Sequence, residues 1–233
     1  MDQRTGLLLV IALCIFDTLQ GQDDLYINRT LQDFASGMRF VGTEAGRKVR
    51  SDVEGSEYLD ENFLNGEILT MNSEHFKDIP MRYNVYLDNV EVRLPNGTIC
   101  NLSEPDKIFQ ILVNKQVIVY TEYLSPEGKK SGFLFVLYDG ASKLYRRYYK
   151  TFNEGRPTNG ITPEIPPKIA DKPLEYYIRA KDGTTSFCNS KKDLLSVMSN
   201  AISEIEDYLK KEKLRLNRED DLIKVVSYYD TLP

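Results

Sequence analysis

The stretch Met81-Arg82-Tyr83-Asn84-Val85-Tyr86-Leu87-Asp88-Asn89-Val90-Glu91-Val92-Arg93-Leu94 decides the fold. Met81, Tyr83, Val85 and Leu87 alternate with Arg82, Asn84, Tyr86 and Asp88. Beyond Asp88-Asn89 the alternation resumes, with Val90, Val92 and Leu94 set against Asn89, Glu91 and Arg93. Period two on both sides of a polar two-residue turn is what a hairpin with one buried face requires. Pro95-Asn96-Gly97 turns the chain again, Asn-Gly supplying the positive φ of a tight hairpin, and Thr98-Ile99-Cys100 returns.

The same pattern extends outward. Residues 67–70 and 76–79 predict an earlier hairpin around Asn72-Ser73, and strands follow at 108–113, 116–123, 132–138 and 143–152. Asn114-Lys115, residues 125–130 with Pro126 and Gly128, and Asp139-Gly140 connect them. Phe133-Leu134-Phe135-Val136-Leu137 is apolar on both faces, so its strand is expected to be central and the sheet to carry a cover. The C-terminal region supplies one. Leu194, Leu195, Met198, Ile202, Ile205 and Leu209 fit helical spacing in two pieces broken near Ser199-Asn200. Asn217, with Asp220 three residues on, reads as a helix start, and Leu222, Ile223, Val225, Val226 and Tyr229 then share a side. The expected fold is α+β, a curved antiparallel meander of about 8–10 strands with the C-terminal helices packed on it.

Residues 153–173 hold five of the ten prolines, at 157, 163, 166, 167 and 173, and read as a semi-rigid strap poor in ladder donors. After it, residues 175–181 and 184–188 flank Asp182-Gly183 as another hairpin. Residues 22–53 are irregular: Leu25, Ile27, Leu31 and Phe34 suit a short helix, and Gly37, Gly42 and Gly46 punctuate a loop. That loop ends in Arg47-Lys48-Val49-Arg50, a solvated basic cluster. The expected organisation is therefore 1–21 export signal, 22–53 irregular segment, 54–152 sheet domain, 153–173 strap, and 174–233 a hairpin plus helices on the same domain.

The first segment sets the address. Arg4 precedes an unbroken apolar run over residues 7–16, the length of a signal-peptide core and well short of the roughly 20 residues that cross a bilayer. Asp17 ends the run, and Leu19-Gln20-Gly21 offers a cleavage site. No transmembrane segment is expected in the mature chain, which keeps only Cys100 and Cys188. In an oxidising compartment these two can form one disulfide or remain two semi-buried thiols. Sequons at Asn28, Asn96 and Asn101 matter only in a eukaryotic secretory pathway.

Composition narrows the chemistry. Of 233 residues, 41% are hydrophobic and 28% charged, ordinary for a globular chain, and 30 Lys+Arg against 35 Asp+Glu give a net charge of -5. A weakly acidic chain is poorly suited to gripping nucleic acid through its phosphates. With one His and no Trp, metal sites and histidine-based mechanisms lack raw material. His75 is expected in an exposed polar turn, and zinc at it would need Cys100, Cys188 and a carboxylate from distant segments. Asp60 and Glu61, and Glu204, Glu206 and Asp207 on the penultimate helix, read as solvated carboxylates. No phosphate-cradling glycine loop, EF-hand pattern or G-x-S-x-G elbow occurs, so no catalytic residue, cofactor or metal is assigned. Tyr145-Arg146-Arg147-Tyr148-Tyr149-Lys150 is the candidate interaction surface, because aromatics interleaved with cations are hot-spot residues. An amphipathic strand lying over its neighbours is the competing reading.

The stretches Gly55-Ser56-Glu57-Tyr58-Leu59-Asp60-Glu61-Asn62-Phe63-Leu64-Asn65-Gly66-Glu67-Ile68 and Pro80-Met81-Arg82-Tyr83-Asn84-Val85-Tyr86 point to a resemblance. With residues 132–140 and the ending Asp220-Asp221-Leu222-Ile223-Lys224-Val225-Val226-Ser227-Tyr228-Tyr229, they resemble a family of uncharacterised exported proteins of Bacteroidota. The resemblance implies a bacterial envelope setting, periplasmic or outer-membrane-associated, and transfers no activity. The functional expectation is a non-catalytic binding or accessory module with an envelope protein as partner. The alternatives are a carrier of a lipid or small apolar ligand and, third, a carboxylate-dependent hydrolase.

Overall fold

The computed structural model describes residues 27–37, 40–42, 53–158, 160–161 and 163–233; the expected export signal and the Arg47–Arg50 cluster lie outside them. Strand β1 (Ile27–Arg29) leads into helix α1 (Leu31–Gly37) and strand β2 (Phe40–Gly42). Next come β3 (Leu64–Thr70), β4 (Glu74–Asn84), β5 (Asn89–Arg93), β6 (Ile99–Leu102) and β7 (Ile108–Val113). Then follow β8 (Gln116–Ser125), β9 (Gly128–Asp139), β10 (Lys143–Arg147) and β11 (Lys150–Asn153). The last strands are β12 (Lys168–Asp171), β13 (Glu175–Arg179) and β14 (Thr185–Phe187), before helices α2 (Lys191–Val197), α3 (Ile202–Lys211) and α4 (Glu219–Thr231).

Twelve strands form one sheet in the order β14-β13-β10-β9-β8-β7-β3-β4-β5-β6-β2, with β1 added in parallel to β4. The sheet curves until β14 meets β8 in parallel, at Ser186 opposite Leu124, so β8, β9, β10, β13 and β14 close into a small barrel. The fold is thus α+β and β-rich, a curved, partly barrel-like sheet with C-terminal helices against it. It has more strands than the sequence pattern announces, because β1 and β2 are too short to show a period, the strand expected over 143–152 splits in two, and the proline-rich segment supplies β12.

The middle of strand β9, residues 132–135, is buried on both faces, in line with the apolar run 133–137. Phe133 and Phe135 join a core with Ile68, Phe76, Ile79, Met81 and Val92, into which α1 inserts Phe34. Leu134 points the other way, with Tyr123, Tyr145 and Tyr177 inside the small barrel. A bulge then shifts the register: Leu144 faces Tyr138 and Tyr145 faces Val136, leaving Leu137 unpaired. Leu137 and Tyr138 turn into a third core with Leu144, Ile178, Leu194, Ile205, Leu222 and Val226, which seats the helices. Helix α2 starts on a full capping box between Ser190 and Asp193, and a single 3-10 turn at Ser199–Ala201 separates it from α3. No helix among the described residues is long and apolar enough to cross a membrane.

Several boundaries differ from the sequence reading. The β4–β5 turn spans residues 85–88, with Asn84 opposite Asn89 and Asp88 at φ 49°, so Leu87 is exposed. The strand expected over 143–152 breaks at Tyr148-Tyr149, and its second half, β11, leaves the main sheet to pair with β12. That pairing makes the proline-rich segment a finger instead of a strap. Its proline-free stretch 168–171 supplies the ladder, and Arg156 and Ile165 exchange bonds of 2.7 and 2.8 Å further out. Residues 27–29 are strand and residues 40–42 pair with β6, where a helix start and a loop were expected. Helix α4 begins at Glu219, with Arg218 in the N-cap position, not at Asn217.

Leu134 is wholly buried, so Leu134→Ala should cost about 2–5 kcal/mol in urea denaturation, as for other enclosed leucines. Phe152→Ala, on the exposed finger, should change stability by no more than about 0.5 kcal/mol. Similar losses at both positions would contradict a two-sided core at β9.

Candidate functional site

The polar face of the β4–β5 hairpin is covered. Residues 53–63 cross it as a belt: Leu59 N–H donates to Tyr83 O at 3.1 Å, and Val85 and Tyr86 N–H donate to Glu57 O at 2.8 and 3.2 Å. Two cations staple the belt. Lys150 Nζ donates to the carbonyls of Ser56 and Tyr58 at 2.9 and 2.8 Å. Arg82 lies across from Glu91 in register, donates to its carboxylate through Nε at 2.8 Å, and donates to Glu61 O at 3.1 Å and Tyr58 Oη at 2.7 Å. Its guanidinium rests on the Tyr58 ring, 3.6 Å from the centroid, with Phe63 at 4.5 Å. Burial, then the nearby Glu91 carboxylate, pushes the Tyr58 phenol up to about 12. A buried Arg–Glu pair with such partners is a fixed wall; removing one member strands the other charge.

Along the belt runs a trough made of two adjoining clefts. One, of about 320 Å3, has a floor of Leu64, Met81, Tyr83, Ile118, Phe135 and Tyr148, and amide-bearing walls at Asn62, Asn114 and Gln116. The second, of about 310 Å3, is lined by Tyr58, Tyr149, Lys150, Asp171, Lys172 and Leu174. Leu59 and Tyr148 belong to both. Leu59 and Tyr149, 40% and 39% exposed, are apolar surface that the fold leaves at the rim. Arg82 and Lys150 are committed to internal partners, so the trough offers apolar contact and amide hydrogen bonds more than charge.

The Tyr145–Lys150 strand lies beside this trough but mostly turns inward. Tyr145 is in the small barrel. Arg146 donates through one nitrogen to both Glu219 oxygens at 3.0 Å and packs on Tyr148, while Arg147 donates to Glu175 at 3.0 Å. Tyr148 meets Phe135 edge-on at 4.9 Å. Alternation sends Arg146 and Arg147 to opposite faces, and both faces are covered, so of the six side chains only Tyr149 is exposed.

A second cluster of titratable groups lies at one end of the barrel. Tyr83 Oη donates to Asp88 Oδ1 at 2.5 Å, and Phe133 N–H donates to the same oxygen at 3.3 Å. Gly132 makes room for this carboxylate; a Cβ there would stand 2.3 Å from Asp88 Oδ2. Burial raises the Asp88 carboxyl, against the hydrogen bond from Tyr83 and the charge of Arg147, which lower it. Tyr177 Oη donates to Glu175 at 2.9 Å.

Other expectations need correction. His75 is on β4, not in a turn, and is buried, with Nε2 2.6 Å from Glu67 Oε2. Strand β1 covers the adjoining edge of β4. Cys100 and Cys188 are both free thiols and buried, one of the two states the sequence allowed. Cys100 is on β6 and Cys188 follows β14, at opposite ends of the strand order, and burial pushes the Cys188 thiol up to about 12. Asp60 sits on the trough, whereas Glu204, Glu206 and Asp207 are on α3, away from it. Among the described residues no group of three or more His, Cys, Asp or Glu is placed to hold a metal ion. Comparison with known proteins adds no relative: no family model, curated protein or solved structure matches the chain.

An acid raised on folding stabilises the fold while protonated; that contribution is complete below its unfolded value, about 3.9, and is lost as pH rises through the folded one. Asp88→Asn keeps an acceptor for Tyr83 and Phe133 and removes the titration. From about pH 3 to about pH 8 the wild type should therefore lose urea stability relative to Asp88→Asn. A constant difference, or one moving in favour of the wild type, would show that folding does not raise the Asp88 carboxyl.

Proposed function

We propose that this chain is a non-catalytic binding module, and that the trough along residues 57–64 takes an extended segment of a partner protein. The observation that carries this reading is the pair of joined clefts with an apolar floor, amide walls and the exposed rim residues Leu59 and Tyr149. Clefts of about this size lined by apolar and aromatic groups with a few placed polar ones are characteristic binding sites. Asn62, Asn114 and Gln116 carry carboxamides, which match the donor and acceptor of a peptide backbone, while the floor receives a side chain. The belt that bounds the trough is held by Arg82 and Lys150, so this side needs little ordering when a partner arrives.

The proposal moves the expected interaction surface from the Tyr145–Lys150 strand to the groove beside it, keeping Tyr148 and Tyr149. A carrier reading has less support, because the helix–sheet layer is occupied by Leu144, Ile178, Leu194, Ile205, Val225 and Val226, all buried. Export to a cell envelope remains part of the proposal and rests on the apolar run 7–16 ahead of Asp17.

A photo-crosslinking residue placed at Leu59 or Tyr149 should capture the same partner from native membranes, and one placed at Met71, which is 60% exposed, should not. Leu59→Asp should weaken that partner's binding about tenfold or more with the fold intact, as for a central apolar contact. Equal capture from Met71, or undiminished binding by Leu59→Asp, would sink the trough as the binding surface.

A further inference from the structure

The helices beyond residue 190 carry nearly balanced charge, but the balance hides a segregation. Lys210, Lys211, Lys213, Arg215 and Arg218 fall within nine residues with one acid, Glu212, a net of +4 in a chain of -5. All five are exposed, and among the described residues none stands within 4 Å of a carboxylate in an ion pair. They span the end of α3 and the loop to α4.

Local structure explains part of this placement and not the rest. Lys210 and Lys211 sit in the last turn of α3, where cations complement the helix dipole. Lys213 is different. It adopts φ 53° just past the helix end, with Leu214 N–H donating to Leu209 O at 3.1 Å, a closing turn that favours glycine. Arg218 occupies the N-cap of α4 and makes no capping bond there, where Ser, Thr, Asp or Asn is preferred and a cation opposes the dipole. Asn217, a better cap, stands one residue before it. At two positions, then, local rules call for a small or capping residue and the chain holds a long cation. Such departures are expected where a surface is used for something other than folding.

The loop is also held in shape. Arg215 N–H donates to Asp221 Oδ2 at 3.0 Å, Arg218 N–H to Arg215 O at 3.0 Å, and Leu214 and Leu216 pack on the helix–sheet core. That inward packing leaves no apolar anchor for a protein hot spot. Tyr208 and Tyr228 stack on each other with centroids 4.0 Å apart and planes at 13°, so one face of each ring is already taken and no run of free aromatic platforms lies beside the cations. What remains is a set of exposed cations on a held backbone, outnumbering the exposed acids Glu212 and Asp220 beside them, which suits a field of negative charge.

We infer that the loop between α3 and α4 docks the protein on an anionic lipid surface through Lys210, Lys211, Lys213, Arg215 and Arg218. The attraction is electrostatic and non-inserting. Each cation near such a surface contributes about a fivefold gain in partitioning, and the effect fades within a Debye length, about 10 Å at 0.1 M salt. This site is separate from the trough and does not rest on it.

Co-sedimentation of the full chain with two kinds of vesicle tests the inference: phosphatidylcholine alone, and two parts phosphatidylcholine to one part phosphatidylglycerol. Binding should need the anionic lipid and vanish at about 1 M salt. The triple variant Lys211→Ser, Lys213→Gly, Arg215→Ser should bind on the order of a hundredfold more weakly. Its Lys213→Gly change relieves left-handed strain, so the thermal midpoint should hold. A control with the same charge change, Lys107→Ser, Lys129→Ser, Lys130→Ser, removes cations already paired to acids and should keep most of the binding. Equal binding to both vesicles, an equal loss in the control, or binding to a single-stranded RNA oligomer without binding to vesicles would overturn it.

Discussion

Across residues 133–136 the side chains point into packed interiors on both sides of the sheet, 133–135 buried and Val136 half-buried, and the architecture is the set of elements needed to shield them. Phe133 and Phe135 lie in the core that α1 plugs with Phe34. Leu134 and Val136 lie in the small barrel, which exists because the sheet curls until β14 reaches β8. One residue further on, the bulge at Leu137 turns the strand toward the helices, so a single strand contributes to all three cores. A strand with one wet face could have belonged to an open meander; one with none requires closure on one side and a lid on the other.

This much was legible because burial of one face writes a period into the chain. Residues 108–113 were readable as the strand β7, and the break at Ser199–Ala201 showed as a slip in helical spacing. Pairings between distant segments write no period. Nothing local marks β1 as a partner for β4 or β14 as a partner for β8. Polar burial is hidden for the same reason. Arg82 and Glu91 read as the wet side of a hairpin, and only the arrival of the belt with Tyr58 and the Glu61 carbonyl makes them an interior pair. His75 follows suit, since its cover comes from β1 and its partner Glu67 from β3.

The trough shows the limit from the functional side. Its rim is built from Leu59 in the belt, Asn114 in a turn, Tyr149 at a strand break and Asp171 at the end of β12. Of these only Tyr149 belongs to a segment the sequence marks as strand, and there the strand breaks. The one cluster conspicuous in sequence, residues 145–150, has the composition of an interface, yet Arg146 is spent on Glu219, Arg147 on Glu175 and Lys150 on the belt. Composition identified the neighbourhood, and strand alternation with cover on both sides decided which side chains remained available. The basic loop after α3 is the converse: balanced on average over the helices, it is conspicuous only once Lys213 and Arg218 are seen at positions where local structure prefers something else.

Native-state hydrogen exchange, read amide by amide across denaturant concentrations, tests the account at its base. If two-sided burial of β9 holds the sheet together, the amides of residues 133–136 should exchange only through global unfolding, at the free energy that denaturant melts give for the whole chain. Opening of 133–136 at lower cost than the α2–α4 helices would mean that the helices stand without the strand, and the architecture would need a different foundation.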